Sequence, residues 1–285
     1  MLKKVAISLA VYALMLISGP SFAAVSYVGS CGTADYSSIK DAVLAAQPFD
    51  TIVVCPGTYT EGSVLVDFGG NTEGVTITST NLHDPDQTTV VGGFKIVSDY
   101  VTIKGLKITV GNDDNHVCVE ISGDYATVAF NHITGCNYGG IRTNQAVGVF
   151  ASSGNSILHN VIENNAYFGI NVEGTDTSIH HNTIVNNDPV GTTNYNFGGI
   201  MLQDISSGGE IHHNTTAGNQ AYGINIRGDN YHIHNNNVCD GIILQNSASG
   251  IFLHNNEVAP SIINNGATHS KIKNNSDNDS CGGPV

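Results

Sequence analysis

The chain has 285 residues, among them 33 Gly and no Trp, and only 12% of its residues are charged. Its 10 basic residues against 24 acidic ones leave a net charge of −14, a field that repels nucleic acid and anionic membrane surfaces. Low charge with abundant Gly suits short strands and tight turns and excludes a helical bundle or coiled coil.

In chain order, Lys3 and Lys4 precede an apolar run from Val5 to Ile17, the breaker pair Gly19-Pro20 and the small residues Ser21 and Ala23. That is the layout of a secretory signal peptide over residues 1–23, so the protein is expected to be secreted or periplasmic. The run is too short for a stable bilayer span, no other segment approaches the length, and no Cys follows the cleavage-like site. Residues 24–285 then carry 8 basic against 24 acidic residues, a net of −16. Such a field also repels polyuronic chains unless calcium or a local basic spot intervenes.

Residues 37–47, SSIKDAVLAAQ, read as the one helix after the signal, with Ser37 as the expected cap and Ile39, Val43 and Ala46 on one face. The stretch DTIVVCPGTYTE follows as a buried strand and a turn. From there one phrase returns: TVAFNHITGC at Thr127, SILHNVIENN at Ser156, SIHHNTIVNN at Ser178, EIHHNTTAGN at Glu210, HIHNNNVCDG at His232, FLHNNEVAPS at Phe252 and KIKNNSDNDS at Lys271. Its marker residues Asn131, Asn160, Asn182, Asn214, Asn236, Asn256 and Asn275 are spaced by 29, 22, 32, 22, 20 and 19, a base period near twenty carrying two long insertions. Within each repeat Ile and Val alternate with polar residues, and no helical stripe is sustained.

This repeat resembles the right-handed parallel β-helix of pectate lyases, pectin esterases and many secreted proteins. The resemblance implies an all-β fold: a single-stranded right-handed parallel β-helix of about ten coils. The open end of such a solenoid needs a cover, which the 37–47 helix supplies. Gly57-Thr58-Tyr59-Thr60-Glu61 also resembles the Gly-x-Tyr-x-Glu opening of pectin esterases, as a marker of fold. The repeated Asn is expected to serve the scaffold, by tolerating a left-handed bend and by bonding its neighbours up the column.

The enzymes of this fold carry motifs that are not complete here. Gln145-Ala146-Val147 and Gln203-Asp204 match parts of the pectin esterase pattern, yet no Asp-x-x-Phe-Gly follows to supply a nucleophile. Asp113-Asp114 matches the paired aspartates of polygalacturonases, without their Gly-His-Gly and Arg-Ile-Lys. Pectate lyases of the best-known type carry Trp, absent here.

Six cysteines, at 31, 55, 118, 136, 239 and 281, favour disulfides in an exported chain. Fifteen pairings are open. Cys31 with Cys55 is the expected one, because both end short strands that flank one helix; Cys118 with Cys136 and Cys239 with Cys281 are the further guesses. Aligning the strands after each Asn gives two outward columns. One holds Glu120, Arg142, Asn171, Met201, Asn225 and Ile243, the other Ser122, Asn144, Glu173, Gln203, Arg227 and Gln245.

Both arginines of the chain fall in these columns. With Asp204 nearby and the insertions 144–155 and 188–197 bringing Tyr195 and Phe197, this face is the expected site for a sugar chain. The candidate glycan-binding residues are Glu120, Asn144, Asn171, Glu173, Tyr195, Gln203, Asp204 and Asn225. As a lyase or epimerase, the chain would use Arg142 or Arg227 as base beside a uronate, with Glu173 and Asp204 as candidate calcium ligands. The bland alternative is a surface ion pair of Arg142 with Glu120 in a noncatalytic surface or adhesin-like β-helix. A polysaccharide or cell-surface glycan is the expected partner, with a monomer as default.

Finally, His180, His212, His234 and His254 should stack in one column with His159, His181 and His213 beside it. Imidazoles suit zinc or copper, but a repeated phrase repeats its His as it repeats its Asn, and the sequence assigns no metal to them.

Overall fold

The structure is a computed structural model that describes residues 23–69, 74–110, 117–144, 152–188, 197–277 and 281. Apart from Ala23, the predicted signal segment lies outside the described residues. Among the described residues no helix is long and apolar enough to cross a membrane.

Each coil gives one short strand to each of three parallel sheets, of 11, 10 and 9 strands. The first runs from Val25–Val28 to Lys271–Lys273, the second from Gly57–Thr60 to Ser276–Asp277, and the third from Val64–Val66 to Ile262–Asn264. The chain is therefore a right-handed parallel β-helix, and its strand counts bracket the expected ten coils. Period-two alternation builds the core. In the first sheet Ile52, Ile77, Ile103, Val128, Ile157, Ile179, Ile211, Ile233 and Leu253 lie in register and are fully buried, one apolar side chain per coil.

The helix spans Ile39–Ala45 and buries Ile39, Ala42 and Val43 against the first coil. Its cap is Ser38, one residue after the expected Ser37, with Ser38 Oγ accepting from the Asp41 N–H at 3.3 Å. A distant residue decides between the two serines. The Glu61 carboxylate accepts from Ser38 Oγ at 2.9 Å, from the Ile39 N–H at 2.7 Å and from the Lys40 N–H at 3.4 Å. Tyr59 from the same motif donates its hydroxyl to the Cys55 carbonyl at 2.9 Å. The Gly-x-Tyr-x-Glu pattern is thus a clasp between the first coil and its cover. We expect Glu61→Ala to cost about 1–2 kcal/mol, on the scale of a lost helix cap, and Glu61→Gln to cost less. A urea midpoint unchanged in Glu61→Ala would mean that the apolar face alone holds the helix.

Three disulfides join Cys31–Cys55, Cys118–Cys136 and Cys239–Cys281, with Cα separations of 5.5, 5.6 and 5.3 Å. All three expected pairings are present.

The Asn column is a buried ladder. Asn160 donates its backbone N–H and its Nδ2 to Asn182 Oδ1 at 2.9 and 3.0 Å; Asn182 does the same to Asn214 Oδ1, and the pattern runs from Asn131 to Asn275. Each Nδ2 also reaches a carbonyl on the preceding coil, as Asn182 does to Ile157 at 2.8 Å. The left-handed bend falls one residue earlier than expected, at Phe130, His159, His181, His213, Asn235, Asn255 and Asn274, all with φ between 53° and 57°. The ladder Asn must keep its amide turned inward, so the preceding residue takes the turn. A second ladder, Asn165–Asn187–Asn219–Asp240, lies at the next corner of the coil.

Candidate functional site on the third sheet

Strand register confirms the first outward column: Glu120 pairs with Arg142, Arg142 with Asn171, Asn171 with Met201, Met201 with Asn225 and Asn225 with Ile243. The second column continues just past the strands, where the N–H groups of Asn144, Glu173, Gln203 and Arg227 still donate to the coil before. The solvent-facing character expected of the first column holds only at its start. Asn171, Met201, Asn225 and Ile243 are at most 6% exposed. Second-column amides fold over this part of the column, with Gln203 Nε2 on Asn171 Oδ1 at 3.1 Å and Gln245 Nε2 on Asn225 Oδ1 at 3.4 Å.

The polar centre is Arg142. Its Nε and Nη2 donate to the two Glu173 oxygens at 3.0 and 2.9 Å, so its partner is Glu173 on the following coil and not Glu120. Asn171 Nδ2 adds a bond to Glu173 at 3.0 Å, while Glu120 accepts from Asn144 Nδ2 at 2.6 Å. Burial works against the Arg142 charge, but the Glu173 bonds and the Glu173 and Glu120 charges outweigh it, and its pKa is held above the ordinary value. A base must shed its proton, and this environment favours the protonated guanidinium as a hydrogen-bond donor. Arg227 stands three coils away, roughly 14 Å at the sheet spacing, too far to share one bond with it.

Beyond Glu173 the face opens into a shallow pocket of about 310 Å³ lined by Glu173, Gln203, Asp204 and Ile205. Asp204 accepts from Ser247 Oγ at 2.7 Å. Calcium does not fit the expected pair, because the Glu173 oxygens already face three N–H donors. Among the described residues no group of three His, Cys, Asp or Glu side chains converges to hold a metal ion. Tyr195 lies outside the described residues.

The sequence reading overlooked an aromatic rail beside this face. Tyr138, Tyr167 and Phe197 occupy equivalent places on three successive coils, each just before its strand, with ring centroids 5.2 and 5.3 Å apart. All three are half-buried, and Phe168 closes the base, edge-on to Tyr138 at 5.5 Å. Gly139 makes room for it: a Cβ there would run into the Phe168 ring. The signal was present in NYGGI, AYFGI, NFGGI and AYGI, an aromatic two or three places before the Ile of each strand.

Three stacked parallel sheets, a capped first coil and a polar face flanked by aromatics define a solenoid of the parallel β-helix class. The chain belongs to the family described as right handed beta helix region, whose pattern matches residues 52–202. No curated protein matches the chain. Solved structures share the fold at low identity. An alginate lyase from Paenibacillus sp. str. FPU-7 aligns at 15% identity and a TM-score of 0.57, over 89% of this chain and 98% of that one. The PL6 family alginate lyase AlyGC aligns at 14% identity and a TM-score of 0.56, over 83% of this chain and 35% of AlyGC. This chain therefore spans about a third of AlyGC. The pectate lyase Pel9A aligns at 17% identity and a TM-score of 0.51, over 93% of this chain and 82% of that one.

Proposed function

We propose that this is an exported β-helix protein that binds an extracellular polysaccharide lengthwise along the third sheet. The observation that carries the reading is the rail Tyr138–Tyr167–Phe197 running along the solenoid axis beside the Arg142–Glu173 pair. Half-exposed rings repeated at coil spacing offer stacking faces for successive sugars, and the fixed guanidinium and the amides offer directional bonds to hydroxyls or carboxylates. The Lys3–Lys4 leader and three disulfides support export. The clamped charge of Arg142 favours binding over proton abstraction.

The test is affinity electrophoresis of the chain without residues 1–23 through gels holding alginate, pectate or neutral glycans, with absorbance of unsaturated product followed alongside. At least one polysaccharide should retard the protein, and Tyr167→Ala should weaken that retardation about tenfold, near 1.4 kcal/mol, while product absorbance stays flat. Retardation by none of the polysaccharides, or by Tyr167→Ala as strongly as by wild type, would overturn the reading. Rising absorbance would make the protein a lyase instead.

A further inference from the structure

On the corner between the first and second sheets, two parallel stacks of imidazoles run along the axis. One holds His180, His212, His234 and His254, with centroids 4.9, 5.1 and 5.3 Å apart and planes within 8°. The other holds Phe130, His159, His181 and His213 at 4.9, 4.9 and 5.0 Å. The stacks meet on two coils only, where adjacent residues bring like nitrogens together. His180 Nδ1 lies 3.0 Å from His181 Nδ1, and His212 Nδ1 lies 2.9 Å from His213 Nδ1.

We propose that these two pairs are chelating sites for divalent copper or nickel, one ion per coil, held between the facing Nδ1 atoms. At a metal–nitrogen distance of roughly 2.0–2.1 Å, nitrogens 2.9–3.0 Å apart subtend about 90° at the ion. That is the angle of square-planar or tetragonal coordination, the preference of Cu²⁺ and Ni²⁺; tetrahedral zinc would hold its nitrogens farther apart. His181 and His213 are exposed, so ions reach both pairs from solvent. The surrounding charge of −14 attracts cations. Desolvation, and then the charges of neighbouring imidazoles, hold His180, His181 and His212 below the ordinary histidine range, His212 at about 4. Since no third His, Cys, Asp or Glu converges on either pair among the described residues, each ion keeps positions for water or a further ligand.

The next coil supplies an internal contrast. There Asn235 replaces the second histidine, and its side-chain amide bonds His234 Nδ1 at 3.1 Å, so the place of a chelate is taken by a hydrogen bond. Asn235 holds the same left-handed turn, with φ 55° against 57° and 54° at His181 and His213. His181→Asn and His213→Asn therefore copy an arrangement this fold already contains.

The experiment is calorimetric titration of the EDTA-treated chain with Cu²⁺ and Ni²⁺ at pH 7.5, for wild type, each single variant and the double variant. His232 and His254, with Nε2 atoms 2.6 Å apart, stay intact throughout as an internal reference. Each substitution should remove one ion from the stoichiometry, or weaken it at least tenfold. Copper should raise the melting temperature of wild type more than that of the double variant. No uptake by wild type, or the same number of ions at the same affinity in a folded double variant, would overturn the proposal and leave each pair as a hydrogen bond between neutral tautomers.

Discussion

Replacing Asn182 by Ala is expected to destabilise the protein by about 3–5 kcal/mol, because several buried partners lose their bonds together. Asn182 Oδ1 accepts both donors of Asn160, and its Nδ2 serves the Ile157 carbonyl at 2.8 Å, the His180 carbonyl at 3.1 Å and Asn214 Oδ1 at 3.0 Å. Alanine leaves these groups facing a dry interior. The solenoid cannot relax around the gap, since both neighbouring coils are held in register by the same ladder. Asn182→Asp keeps the shape and the acceptor but not the donors, and it should lose nearly as much at neutral pH. Asn275, half-buried at the last rung, accepts both Asn256 donors at 2.9 and 3.0 Å and donates to the Leu253 carbonyl at 3.2 Å, but water reaches it, so its alanine variant should cost less. Urea midpoints of the three variants decide the matter. A loss under about 1 kcal/mol at Asn182 would show that water replaces the amide.

Stability should also fall steeply as pH drops from about 6.5 toward about 4, measured as melting temperature in EDTA so that no metal contributes. His180, His181, His212 and His234 are depressed in the folded state from unfolded values near 6.5, His212 to about 4. Above 6.5 both states are neutral there and the stabilisation is complete. Below it the unfolded chain takes up protons that the fold refuses, so stability is lost as pH falls through this window. Desolvation is the first cause at each ring. The charges that neighbouring imidazoles would acquire come next: His181, His159 and His213 around His180, and His232, His254 and His213 around His234. Glu210 opposes the effect at His212 and His234. His181 and His213 are exposed, and water screens part of their repulsion, so the double variant His181→Asn, His213→Asn should flatten the profile only in part. A melting temperature constant from pH 7 to 5 would contradict the account.

The fold was legible because a solenoid writes its geometry into spacing. Each interval between marker asparagines equals the separation of two residues now found hydrogen-bonded, and the outward columns follow the strand register. What escaped depended on partners far along the chain. Ser37 and Ser38 are equal caps until Glu61 chooses between them. Glu120 and Glu173 flank Arg142 alike in the alignment, and only the side-chain positions join it to Glu173. The second ladder had its own trace, an Asn five places after each of Asn160, Asn182 and Asn214, hidden inside runs of Asn that read as turns. The rail of Tyr138 and Tyr167 is written in the residue just before each Gly-Ile strand, outside the alternating pattern that marks the strand itself.

The Asn ladders also give the molecule a direction. Every ladder Asn that bonds the next rung offers its side-chain oxygen to the preceding coil and one Nδ2 donor, with its backbone N–H, to the next, so these rung-to-rung bonds share one sense along the axis. Donors point toward the C-terminal end of each line. In the second ladder the residue waiting at that end is Asp240, whose Oδ2 receives the Asn219 side chain at 2.8 Å and its backbone N–H at 3.1 Å. An anion thus receives the last pair of donors, and substituting it with Asn would leave the line without its charged terminus.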